Sequence, residues 1–310
     1  MKKIVFAFAV LALLVPAAAL ADPVQEFSFQ VKDIKPGGRF TVIYSSRTYD
    51  SSGGIPPVVR ENYLRLPLGA VVRKEFLEKK YYCDAGKLIK DLQAAPEQSM
   101  QFARRVDKLA ATIKRIRSRL DQKALRNAET CSRSRLGEGT AQLDARPLFD
   151  ELIPSVFYVF LGKGTQPGAV ASMQIIGMPD ENSGVVKRLP INVQQTRVAL
   201  VVNFSNEPTE GKYGYKAVLP TGRIAGVNVS IAAVRAVFRG ITLKKKKVTC
   251  IKRNRGQCVR KRVKKTTVFW VTTPRCPPSG KLSFLGFYGY DDPIPDITRT
   301  VELSCPSFRM

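Results

Sequence analysis

Six cysteines constrain the fold of this chain more than any other feature: Cys83, Cys131, Cys250, Cys258, Cys276 and Cys305 all follow an N-terminal segment built like a secretion signal. Lys2 and Lys3 precede an unbroken apolar stretch over residues 4–15, then Pro16 and small residues up to Ala21. That is the three-part order of an export signal, and Ala19 with Ala21 puts the expected cleavage after residue 21. The apolar stretch is shorter than the roughly 20 residues that span a bilayer, and no later stretch reaches that length, so a released product is expected. An even number of cysteines in an oxidising compartment predicts three bridges. Sequence order does not fix their pairing; nearest neighbours are expected, Cys83 with Cys131, Cys250 with Cys258 and Cys276 with Cys305.

The chain is long enough for a full core, and 44% of its residues are hydrophobic, which suits a globular protein. Lysines and arginines number 51 against 25 acids, for a net charge of +26, and the signal would remove two lysines and no acid. Such an excess attracts anionic partners over long range. Histidine is absent, which excludes Ser-His-Asp and Cys-His nucleophile systems, histidine metal ligands and the usual neutral-pH general base. Bridged cysteines remove thiolate chemistry and Cys-only zinc as well. No cofactor is expected.

Residues 27–31, 40–49 and 58–66 alternate in the manner of strands and are separated by the turn-rich segments 35–38 and 51–57, which predicts an antiparallel meander. Over 97–128 the period changes. Phe102, Val106, Leu109, Ile113, Ile116 and Leu120 recur at alternating spacings of four and three, a seam on one long helix. Bridged Cys83 and Cys131 would tie both ends of that helical insertion, 84–130, to the sheet. Apolar runs return at 156–161, 171–176, 197–204 and 224–238, read as strands, although 230–237 also suits a short helix. The expected fold class is mainly β: residues 1–21 a signal peptide, then 22–310 a single antiparallel β-sandwich-like domain with one long α-helical insertion and a disulfide-stapled basic hairpin over 241–270. Two smaller β modules are the alternative.

That hairpin is the segment that most invites a function. Lys244, Lys245, Lys246, Lys247, Lys252, Arg253, Arg255, Arg260, Lys261, Arg262, Lys264 and Lys265 fall within 22 residues that hold no acid, with Asn254 and Gly256 as turn residues between Cys250 and Cys258. If the two cysteines face each other, Lys246 stands opposite Arg262, Lys244 opposite Lys264 and Lys247 opposite Lys261. With no aromatic among the basic residues, base stacking and sequence-specific nucleic-acid readout are not expected, and backbone charge is what such an arm would recognise. The expected partner is an anionic polymer: a cell-wall polymer, extracellular nucleic acid or acidic lipid head groups. A cationic edge that merely resists pairing with other chains is the plainer alternative.

Catalytic patterns are weak. Asp291, Asp292 and Asp296 lie in a Pro- and Gly-rich stretch that lacks the spacing of a calcium loop. Asp50, Glu61, Glu207 and Glu210 are the other carboxylates considered for a secreted polysaccharide hydrolase. Leu161-Gly162-Lys163-Gly164-Thr165 lacks the glycine of a phosphate loop and reads as a turn. Asn203 and Asn228 open glycosylation-type triplets. A non-enzymatic binding or surface protein is expected, with the hydrolase and an inert structural protein as alternatives.

Several pieces, taken in order, resemble a group of uncharacterised secreted actinobacterial proteins: Arg47-Thr48-Tyr49-Asp50 with Gly53-Gly54, Leu66-Pro67-Leu68-Gly69-Ala70, Cys83 with Cys131, Gly137-Glu138-Gly139-Thr140-Ala141, and Cys276-Pro277-Pro278-Ser279-Gly280-Lys281 with Cys305. The resemblance implies an exported, disulfide-containing, β-rich domain and supplies no reaction or ligand. The long segment between the first two cysteines and the basic hairpin depart from that group.

Overall fold

The computed structural model describes residues 23–32, 41–54, 56–67, 71–72, 81–93, 122–146, 148–209, 212–219, 223–224, 227–239, 242–254, 257–269, 271–272, 277–291 and 293–304. In chain order the strands are β1 (Pro23–Lys32), β2 (Thr41–Asp50), β3 (Glu61–Pro67), β4 (Val71–Val72), β5 (Arg135–Asp144), β6 (Ile153–Gly162), β7 (Ala169–Pro179), β8 (Val198–Thr209) and β9 (Tyr213–Val218). They continue with β10 (Arg223–Ile224), β11 (Val227–Asn228), β12 (Ser230–Phe238), β13 (Thr242–Asn254), β14 (Gln257–Phe269), β15 (Val271–Thr272), β16 (Lys281–Gly289) and β17 (Ile297–Ser304). The helices are α1 (Ala85–Gln93), α2 (Gln122–Arg133), α3 (Gly184–Arg188) and α4 (Ile191–Gln194).

Eleven strands form one sheet in the order β1-β2-β12-β5-β6-β7-β8-β9-β3-β16-β17, and it curls until its first and last strands touch. Opposed halves of one continuous sheet therefore stand where two separate sheets were expected. Every neighbouring pair is antiparallel. With an odd number of strands, β1 and β17 must then run in the same direction, so the antiparallel ladder cannot continue around the ring. At this seam Arg299 Nε donates to the Gln25 carbonyl at 3.2 Å.

Strand composition follows from what each face meets. β6 is apolar almost throughout because both of its faces are covered. Phe157, Val159 and Leu161 join the inner clusters, whereas Tyr158 and Phe160, with Ile176 and Met178 of β7, lie under Leu88 and Ile89 of α1 and Leu125 and Ala128 of α2. The Cys83–Cys131 bridge, with Cα atoms 4.5 Å apart, pins this helix pair to the sheet as expected. Helix α1 lies within the expected helical insertion, 84–130, but ahead of the long helix predicted over 97–128. Asp84 begins α1 by accepting from Lys87 N at 2.8 Å, while Asn127 of α2 accepts from Asp84 N at 3.1 Å and donates to its carbonyl at 3.0 Å. The long predicted helix is described only as α2, which runs to Arg133, past the expected end at Ala128; its seam residues Phe102 to Leu120 lie outside the described residues.

One other expectation needs correction, and one choice between two readings is decided. The first three strands are not a meander: β3 pairs with β9 and β16 rather than with β2. Segment 230–237 is strand, since β12 is hydrogen-bonded between β2 and β5. β5 itself was not foreseen, because its sequence RLGEGTAQLD is largely polar. Its glycines serve close packing: a Cβ on Gly139 would meet the Arg235 carbonyl and the Phe157 ring, each at 2.3 Å.

Candidate functional site

β13 and β14 form a two-stranded sheet of their own, 13 residues in each strand, or about 40 Å long at ~3.3 Å per residue. The Cys250–Cys258 bridge forms, with Cα atoms 5.7 Å apart, but the cysteines are not opposite one another. Cys250 faces Lys261 and Cys258 faces Arg253. The expected register is therefore corrected: Lys246 pairs with Lys265, Lys247 with Lys264, Lys244 with Thr267, and Lys252 with Arg260. The innermost pair is Asn254 with Gln257, as when the turn rather than the cross-link sets hairpin register. Two irregularities flanking Lys252 leave Ile251 and Val259 without ladder partners, and these bulges accommodate the staple. Ile251 and Val263 are about half exposed, at 56% and 52%. Of the twelve predicted residues, eleven lie on these strands, and Arg255 lies outside the described residues. Cys276 and Cys305 lie outside them as well.

A second feature lies inside the sheet, and the sequence did not point to it. Part of the interior is filled by Phe29, Phe204, Phe284, Val202 and Ala236 with their neighbours, the Phe29 and Phe284 rings stacked at 4.3 Å. Where β2, β5, β7, β9 and β16 end, the wall carries small inward residues such as Ser46, Thr48, Ala141, Ser155 and Gly177 beside a partly open cavity of about 280 Å³. Eleven strands make a wider ring than the eight that side chains alone can fill. The connection from β7 to β8, carrying α3 and α4, and the 56–59 segment cover part of this end, with Val193, Thr196, Pro57 and Val59 on the wall. Arg197 and Glu181 brace this cover through an ion pair at 3.0 Å in which the guanidinium is 7% exposed.

Polar groups gather on one wall of the cavity. Gln25 accepts from Thr48 Oγ1 and donates to Ser46 Oγ at 2.9 Å. Beside them lie the hydroxyls of Tyr44 and Tyr288, both held above the ordinary tyrosine range by burial. Tyr288 is directly opposite Asn62 in the β16–β3 register. Among the described residues, neither Asn62 Oδ1 nor the Tyr288 hydroxyl completes a well-formed hydrogen bond.

Of the carboxylates weighed for catalysis, Glu61, Glu207 and Asp296 gather around Tyr63, Glu61 and Asp296 both beside Gly289, and the others lie elsewhere. Asp50 accepts from Ser52 N and Oγ at 2.9 and 2.7 Å, in the turn after β2. Asp291 pairs with Arg60 at 3.8 Å, and Asp296 accepts from Tyr290 N at 3.0 Å. Glu61 begins β3 and Glu207 lies in β8, while Asp292 and Glu210 fall outside the described residues. Among the described residues, none of these lines the cavity. Lys163 and Gly164 sit in the loop from β6 to β7, where Thr165 N donates to Asn203 Oδ1 at 2.8 Å. That bond and its burial occupy Asn203, one of the two glycosylation-type asparagines; Asn228 lies in β11. No known protein family, curated protein or solved structure matches the chain.

Proposed function

We propose that this is an exported, non-enzymatic protein that binds anionic polymers through the basic ribbon of β13 and β14, with the curled sheet as the body that carries it. The observation carrying this reading is that the ribbon is a sheet of its own, holding Lys244, Lys245, Lys246, Lys247, Lys252, Arg253, Arg260, Lys261, Arg262, Lys264 and Lys265 and no acid. Residues on one face of a strand recur about every 6.8 Å, within a Debye length of about 8 Å at physiological salt, so their fields add along the ribbon. Like-charge pairs such as Lys246–Lys265 and Lys247–Lys264 are mildly destabilising alone, and a polyanion lying along them would relieve that repulsion. The two disulfides agree with an oxidising compartment.

The test is binding of the oxidised protein to heparin, teichoic acid and duplex DNA across a salt series, beside a variant with the ribbon lysines and arginines replaced by serine or glutamine. If about six cations engage duplex phosphates, log K falls against log salt with a slope of about −5. The ribbon variant should lose the slope, and different DNA sequences should bind alike. Equal binding by both proteins would assign the charge to a solvated edge.

A further inference from the structure

We infer that the partly covered end of the barrel binds a neutral, mainly apolar small molecule with one hydrogen-bonding head, the head on Asn62 and Tyr288 and the body against Ala141, Leu143, Phe157, Ile175, Leu200 and Val234. The site is separate from the ribbon and does not depend on the polymer-binding reading.

The first support is the character of the wall. The chain carries 76 charged residues, the sum of its 51 basic and 25 acidic side chains, yet among the described residues no Lys, Arg, Asp or Glu lines the cavity. An ion would leave water there with no counter-charge to meet it, at a cost that no apolar contact offsets. A neutral ligand follows.

Size is the second support. About 280 Å³ is nearly twice the roughly 150 Å³ of an apolar cavity that admits one benzene ring, so the space suits two fused rings or a chain of about eight to ten carbons. Ser46, Thr48, Ala141, Ser155 and Gly177 on the wall leave space of the kind that Phe29, Phe204 and Phe284 fill elsewhere in the interior.

The third support is the unused hydrogen-bonding capacity. Tyr288 is 2% exposed, and its hydroxyl faces Tyr44 and Ser46 without a well-formed bond. Directly across the ladder, Asn62 Oδ1 is buried and also lacks a partner among the described residues. Buried polar atoms are normally paired, and two of them on a single wall of an apolar cavity mark where a ligand's polar atom belongs. Asn62 Oδ1 accepts only, whereas the Tyr288 hydroxyl can donate or accept. A ligand hydroxyl satisfies both, donating to Asn62 and accepting from Tyr288; a hydrocarbon satisfies neither.

The experiment titrates the full oxidised protein with 2-naphthol, naphthalene and 2-naphthoate at pH 7, in salt high enough to mute surface attraction of the anion, following probe fluorescence and native mass. One equivalent of 2-naphthol should bind at least about 10-fold more tightly than either naphthalene or 2-naphthoate. Asn62→Leu should bring 2-naphthol down to the level of naphthalene and leave naphthalene unchanged, and Ala141→Phe should abolish all binding by filling the space. Thermal melts establish that each variant is folded; Leu200→Phe replaces Ala141→Phe if the latter does not fold. The proposal is overturned by 2-naphthoate binding as tightly as 2-naphthol, by binding that survives the filling variant, or by no binding of any probe to the folded protein.

Discussion

Asp144 closes β5 with its side chain only 1% exposed, and Arg146 two residues later donates from Nε to both of its oxygens at 3.0 and 3.1 Å and from its backbone N at 3.1 Å. The guanidinium holds this carboxyl below the ordinary carboxylate range, against the upward push of burial. A depressed folded value means that the pair stabilises the protein above the ordinary aspartate range near pH ~4 and that this contribution is lost as the pH falls through the lowered value. Asp144→Asn should therefore cost about 2–3 kcal/mol at pH 7, and its deficit against the parent should shrink in urea melts below pH ~4. A constant gap across that range would assign the effect to packing. Nothing in the sequence marked this residue, because a short-range pair between a strand end and the following loop has no periodic signature. Asn62 and Tyr288 were illegible for a related reason: they meet only because β3 and β16, far apart in the chain, are neighbours in the sheet.

At the scale of elements, the two bridges act on different things. Cys83–Cys131 spans a sequence separation of 48 and ties α1 and α2 to β6, where Cys83 N donates to the Leu161 carbonyl at 2.8 Å and Leu161 N to that of Ser134 at 2.9 Å. Removing it by paired alanine substitution should cost roughly 4 kcal/mol in chemical denaturation by the chain-entropy estimate. Cys250–Cys258, with a separation of 8, closes only the tip of the ribbon. Its paired serine variant should melt with the parent while trypsin cleaves the ribbon faster; a matching loss of global stability would mean that the ribbon is packed into the body. Of the expected nearest-neighbour pairs, Cys83–Cys131 and Cys250–Cys258 form, while Cys276 and Cys305 lie outside the described residues; that much of the pairing was legible. Ribbon register was not, because the sequence gives no sign of the bulges beside Lys252. β5 escaped notice because its glycines and polar residues answer to the crossing Phe157 ring rather than to strand propensity.

For the whole molecule, a net charge of +26 sets every part of the compact state against the rest. Raising sodium chloride from about 20 to 300 mM shortens the Debye length from roughly 20 to 6 Å, so the thermal midpoint should rise with salt, and it should rise less in the ribbon variant that lacks eleven or more of these charges. A flat response would show that the cations are too far apart to repel. Strand alternation made the mainly β class readable from the sequence, but not the curling of eleven strands into one ring. Ring closure depends on which distant strands pair, and only the paired order β9-β3-β16 brings the ends together. The odd strand number gives the ring a hem. Along β1 and β17 the ring is fastened by side-chain contacts such as Arg299 to the Gln25 carbonyl, where the other ten joints are stitched by backbone ladders.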